Sequence, residues 1–155
     1  MAIGEAGVRA LAASFREQAV DFERKAALFD ALAVAVEAGD EAAADAAANA
    51  LMAAVDATLA EAGVTNPYTS RPKRVSMPHG EAAQERTAAE MRNMAEASRR
   101  QTVMHQLIAD LLDGLAGSLA AGDDEGAAKA CKALGALPKE AWVGTGLGRN
   151  PFTLH

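Results

Sequence analysis

AGDEAAADAAANAL (residues 38–51) and AGDDEGAAKACKAL (residues 121–134) are the two stretches whose reading decides the fold. In each, a glycine can take the left-handed conformation that closes a helix, and the aspartate after it can cap the next one. An acid then stands near the positive end of that next helix. The phrase therefore reads as helix stop, turn and helix start, written twice.

Sliding the chain against itself by 83 positions extends the match upstream. Arg16 falls on Arg99, Gln18 on Gln101, Val20 on Val103, Leu28 on Leu111, Asp30 on Asp113 and Leu32 on Leu115. One residue out of step, Asn66-Pro67-Tyr68-Thr69 meets Asn150-Pro151-Phe152-Thr153. Alanine inflates such a comparison, but the Arg, Gln, Asp, Gly and Pro matches do not depend on it. An internal duplication is expected from these matches.

Val8, Phe15, Phe22, Phe29 and Val36 recur every seven residues, with Ala12, Ala19, Ala26 and Ala33 beside them. That spacing predicts a helix over about 5–37 with one apolar seam, suited to lengthwise packing against other helices. A second helix over about 41–62 places Ala44, Ala48, Leu51, Val55 and Leu59 at helical spacing. Three prolines between residues 63 and 79 exclude one continuous helix and predict an extended linker. A third helix is expected over about 80–120, with Met91, Met94, Ile108, Leu112, Leu115 and Leu119 on its seam. A short fourth helix, capped by Asp123, ends at Gly135 and Pro138, and a glycine-rich tail is expected to be extended. The fold expected is all-α: an antiparallel four-helix bundle from two duplicated helical hairpins, about 5–69 and about 80–153, within one domain over 1–155. Gln18 and Gln101 occupy equivalent seam positions and are expected to meet near a pseudo-twofold axis, fixing register or forming part of a ligand site with His105.

Composition narrows the function. About a quarter of the chain is alanine, and Leu, Ile, Val and Phe together make up under a fifth. Each buried alanine removes little apolar surface from water, so close packing or a second chain must supply the remaining stabilisation, and a homo-oligomer is expected. The net charge of −6 gives no general attraction to nucleic acid or anionic membrane. It is uneven, because residues 65–100 carry seven bases against four acids. No stretch approaches 18 uncharged apolar residues and the N-terminus lacks a basic start before an apolar run, so neither a membrane span nor a secretory signal is expected. One cysteine, Cys131, excludes an internal disulfide and fits a reducing cytoplasm.

The residues three before His79, His105 and His155 are Ser76, Thr102 and Phe152, so the Glu-x-x-His pairs of di-iron bundles are missing and no metal or other cofactor is expected. Gly144, Gly146 and Gly148 follow no strand and open no helix, which removes a dinucleotide reading. No catalytic arrangement can be built from the spacing. His105 stands where the first repeat has Phe22, on the seam, as a buried polar residue or ligand contact.

Two working surfaces remain. Arg71, Lys73 and Arg74 beside Tyr68, continued by Arg92, Arg99 and Arg100, can meet an acidic protein surface or, as an alternative, nucleic-acid phosphates. The aromatic side chains of the tail, Trp142 and Phe152, can anchor in a partner's groove. The expected function is a non-enzymatic scaffold, adaptor or chaperone that binds protein and self-associates; the alternatives are a nucleic-acid-binding protein using the basic island 71–100 and a small-ligand or metal-binding helical bundle using Gln101 and His105.

Overall fold

A computed structural model describes residues 4–61, 63, 75–142 and 149–153. Every regular element among them is helical: α1 (Glu5–Ala38), α2 (Glu41–Glu61), α3 (Glu81–Ala121), α4 (Asp124–Gly135) and a 3-10 turn at Lys139–Trp142. No helix is long and apolar enough to cross a membrane among these residues.

The repeated phrase makes the same joint twice. Gly39 and Gly122 both have φ +67°, the left-handed region that only glycine enters without a Cβ penalty. Gly39 N–H donates to the Val36 carbonyl and Asp40 N–H to that of Ala35, at 3.1 and 2.9 Å. Gly122 and Asp123 repeat both bonds to Leu119 and Ser118, at 3.3 and 2.9 Å. The Asp40 carboxylate then accepts from Ala43 N–H at 3.0 Å, and the Asp123 carboxylate from Gly126 N–H at 2.9 Å. These bonds satisfy carbonyls at the end of one helix and amides at the start of the next.

The chain divides into two compact units that do not coincide with the hairpins: Met1–Val20 with Gln101–His155, and Asp21–Arg100. Each takes a segment of α1, a segment of α3 and one further α-helix, α4 in the first and α2 in the second.

In the unit Asp21–Arg100, Asp30 pairs with Arg99 and Glu37 with Arg92. Partners descend along α3 as they ascend along α1, so these segments run antiparallel. Its core comprises Leu32, Ala35, Val36, Ala44 and Ala47, with Ala48, Val75, Met77 and Met91 packed against them. Three of the five buried side chains are alanine, which limits the apolar area removed from water here. Val75 N–H donates to the Asp45 side chain and ties the end of the linker to α2. Residues 75–78 have no helical structure, as expected, whereas most of the linker lies outside the described residues.

The other unit is better filled. Val8, Ala12, Phe15, Ile108, Ala109, Leu112, Leu115, Ala116, Leu134, Ala141 and Trp142 form its core. Arg16 pairs with Asp113 at 2.5 Å and Asp110 at 3.1 Å, and Thr102 Oγ1 donates to the Ala19 carbonyl at 3.3 Å. A short hydroxyl on one helix can reach a backbone oxygen on the other only where both present small residues. Ala12, Ala19, Thr102, Ala109 and Ala116, all buried, provide that contact.

Two seam assignments are corrected. Met94 is 47% exposed, since it stands one position, about 100° of helix, before the buried Ala95. Leu119 keeps the seam's spacing but lies in the last turn of α3 and is 41% exposed. The tail also differs from an extended strand over Lys139–Trp142. Pro138 presets its φ for a turn, and Ala141 N–H closes that turn onto the Pro138 carbonyl at 3.0 Å.

Candidate functional site

The seam of α1 and α3 carries a buried polar cluster inside the better-filled unit. His105 is fully buried, its ring tilted against that of Phe15 with centroids 5.3 Å apart, and Phe15 meets Trp142 edge-on at 6.0 Å. His105 Nδ1 lies 2.8 Å from the carbonyl of Gln101, one helical turn back. Nε2 lies 3.1 Å from Gln18 Oε1 across the interface, and Gln18 Nε2 lies 3.4 Å from Ser14 Oγ. Gln18 therefore pairs with His105, where the sequence predicts a meeting with Gln101. Gln101 instead turns its amide nitrogen toward the Glu140 carbonyl at 3.4 Å, and its buried Oε1 has no hydrogen-bond partner among the described residues. The physical reason is that α3 has an imidazole where α1, 83 positions earlier, has Phe22, and a buried imidazole needs polar partners.

In the imidazolium both ring N–H groups donate, to the Gln101 carbonyl and to Gln18 Oε1. In the neutral ring Nδ1–H keeps the first bond, and a half-turn of the Gln18 amide lets its NH2 donate to Nε2 while Ser14 O–H donates to Oε1. Burial pushes the His105 pKa below its ordinary value, opposed by the bond to the Gln101 carbonyl. The neutral arrangement is thus favoured, and the cluster holds a titratable ring away from water.

The tail places Trp142 and Phe152 against their own unit. Trp142 is 2% exposed within the core, and the half-buried Phe152 packs on it with centroids 6.0 Å apart. Asn150 holds this segment: its Nδ2 donates to the carbonyls of Leu134 and Gly135 at 3.0 and 3.2 Å, and its Oδ1 accepts from Phe152 N–H at 2.9 Å. One amide thus serves the end of α4 and the turn that follows Pro151. Gly135 is required by close approach, because a Cβ there would stand 2.7 Å from the Phe152 carbonyl oxygen. Beside this seam lies a groove of about 590 Å³ lined by Ala128, Cys131, Lys132, Gly135, Phe152 and Thr153. Cys131 is half-buried in it.

Of the basic island, Tyr68, Arg71, Lys73 and Arg74 lie outside the described residues. Arg92 and Arg99 are engaged with Glu37 and Asp30, which lowers the positive charge they offer to a polyanion. Among the described residues no group of three or more His, Cys, Asp or Glu is arranged to hold a metal ion.

Sequence reasoning missed Asn150, Ser14 and Asp45. Asn150 had a signal, since Asn-Pro-aromatic-Thr occurs twice and asparagine readily bonds the backbone two residues on. Ser14 and Asp45 had none, because their roles depend on which distant residue the fold brings near.

No family model matches the chain, and no curated protein or solved structure matches it.

Proposed function

We propose that the chain is a non-enzymatic protein-interaction module of the cytoplasm, a scaffold, adaptor or chaperone that self-associates and binds a protein partner through its helices. Its architecture on this reading is a duplicated helical hairpin forming an antiparallel four-helix bundle. Reciprocal ion pairs support the duplication: Arg16 with Asp113 and Arg99 with Asp30 exchange places under the 83-residue shift.

The observation that carries the functional reading is the apolar surface left in water. Val20, Val34, Met94, Val103, Leu107 and Leu119 are 41–62% exposed, while much of the interior is alanine. A chain this poor in large apolar residues gives up core stabilisation by keeping these outside, and exposed apolar side chains that share a face mark interaction surfaces. Val103 and Leu107 stand four apart on one face of α3, the spacing of helix-mediated contacts.

The test is affinity capture from the native host alongside the variant Val103→Asp/Leu107→Asp, with sedimentation of the purified chain. A protein retained by the wild type and lost by a variant of unchanged helix content supports the reading. A chain that binds no protein, itself included, overturns it.

A further inference from the structure

The outward face of α1 has a second apolar seam. Ala6, Ala10, Ala13, Glu17, Val20, Arg24, Ala27, Ala31, Val34 and Ala38 follow one another at alternating steps of four and three, and all ten are exposed. Eight are apolar, and Val20 and Val34 are 58% and 61% exposed. All lie on one uninterrupted helix. Steps of four and three keep a side chain facing a partner helix along its whole length.

The duplication provides an internal control. The same register on α3 reads Ala89, Asn93, Glu96, Arg100, Val103, Leu107, Asp110, Gly114, Gly117 and Ala121. It has four polar residues and two glycines, so apolarity at these ten positions is a property of α1 and does not follow from the repeat.

The two charges of the α1 seam identify its occupant. Neither Glu17 nor Arg24 has an ion-pair partner among the described residues. They are opposite in sign and lie on either side of Val20, three residues before it and four after. We infer that this face of α1 is the contact with a second copy of the chain, in which two α1 helices run antiparallel about a twofold axis at Val20. Val20 then meets Val20 of the second copy, Ala13 meets Ala27, Ala6 meets Val34, and Glu17 meets Arg24 twice. Glu17 stands about 4.5 Å and Arg24 about 6 Å along the axis from the midpoint, on opposite sides of it, so Glu17 of one copy and Arg24 of the other come within about 1.5 Å of level. A parallel, in-register pair would instead set Glu17 on Glu17 and Arg24 on Arg24, so the charges select the antiparallel arrangement. Such an interface is self-complementary, as a twofold dimer requires.

This surface rests on the reading of the chain as a self-associating module, and its test separates the two. Sedimentation equilibrium of the full chain should give twice the chain mass of 15.9 kDa. Glu17→Arg or Arg24→Glu alone should weaken dimerisation on the order of tenfold or more, because two attractive pairs become repulsive, and the double reversal should restore it. Far-UV circular dichroism should be unchanged throughout, since both residues are exposed. In a Cys131→Ser background, Val20→Cys should cross-link to itself under oxidant, whereas Val34→Cys should not unless Ala6→Cys is also present. A dimer indifferent to both single reversals would overturn the assigned face while leaving self-association standing. Self-cross-linking of Val34→Cys would overturn the antiparallel arrangement. A strictly monomeric chain that still captures a protein through Val103 and Leu107 would overturn the second copy as occupant without touching the interaction reading.

Discussion

Replacing Phe15 by alanine tests the packing of the better-filled unit most directly. The ring is 1% exposed and lies between His105 at 5.3 Å and Trp142 at 6.0 Å, with the latter edge-on. Truncation removes the transfer free energy of the benzyl group and leaves a cavity, together about 3–5 kcal/mol for a buried phenylalanine. Loss of the edge-on contact with Trp142 accounts for roughly 0.5–1.5 kcal/mol of that. Such a loss is a large fraction of the roughly 5–15 kcal/mol by which domains are stable. At roughly 2–4 °C per kcal/mol for a chain of this length, the melting temperature should fall by roughly 6–20 °C. Phe22→Ala is the internal comparison, since Phe22 is half-buried at the position equivalent to His105. Its cost should be about 1–2 kcal/mol. Urea unfolding followed by circular dichroism measures both, and the emission of Trp142, the only tryptophan, should shift to longer wavelength in Phe15→Ala alone. Equal costs for the two substitutions, with Trp142 emission unmoved, would refute the placement of Phe15 between α3 and the tail.

The remaining predictions concern the joints, the buried histidine and the thin core. Asp40→Ala and Asp123→Ala should each cost about 1 kcal/mol in denaturant unfolding, and by similar amounts, because the two caps have the same geometry. Below the ordinary histidine pKa the unfolded chain binds a proton that buried His105 resists, so stability should be fully present above that pKa and fall as pH is lowered toward the depressed folded value. Melting temperatures measured from pH 7.5 to 5 should show this slope, and His105→Phe, which installs the side chain found 83 positions earlier at Phe22, should flatten it. Asn150→Ala should expose Trp142, read by its emission and by quenching with iodide, because the carbonyls of Leu134 and Gly135 lose their donor. Amide hydrogen exchange should be faster in α2 than over residues 105–116 of α3, since α2 packs on a core that is mostly alanine.

Four helices and their ends are legible in the order of residues alone. Seven-residue spacing identifies the faces, and the Gly39-Asp40 and Gly122-Asp123 pairs mark the joints through interactions no longer than one helical turn. The same local reasoning places His105 on an apolar seam and Asn-Pro-aromatic-Thr at the end of each repeat. It misjudges Met94 because alanine leaves the edge of a seam poorly marked: a face of Ala88, Ala95 and Ala109 looks no more apolar than its neighbours.

What the tertiary structure alone decided is which residues meet across long separations. Gln18 reaches His105 instead of Gln101, Thr102 bonds the Ala19 carbonyl, and the ring of Trp142 closes over Phe15. None of these follows from period or propensity, because they depend on the register between α1 and α3, and a shift of one residue turns each face by about 100°. Local hydrogen bonding determines that these segments are helices. The choice among the registers open to two alanine-rich seams rests on the few residues that are not alanine: the reciprocal Arg16–Asp113 and Arg99–Asp30 pairs, the imidazole of His105, and the aromatic side chains at the end of the chain.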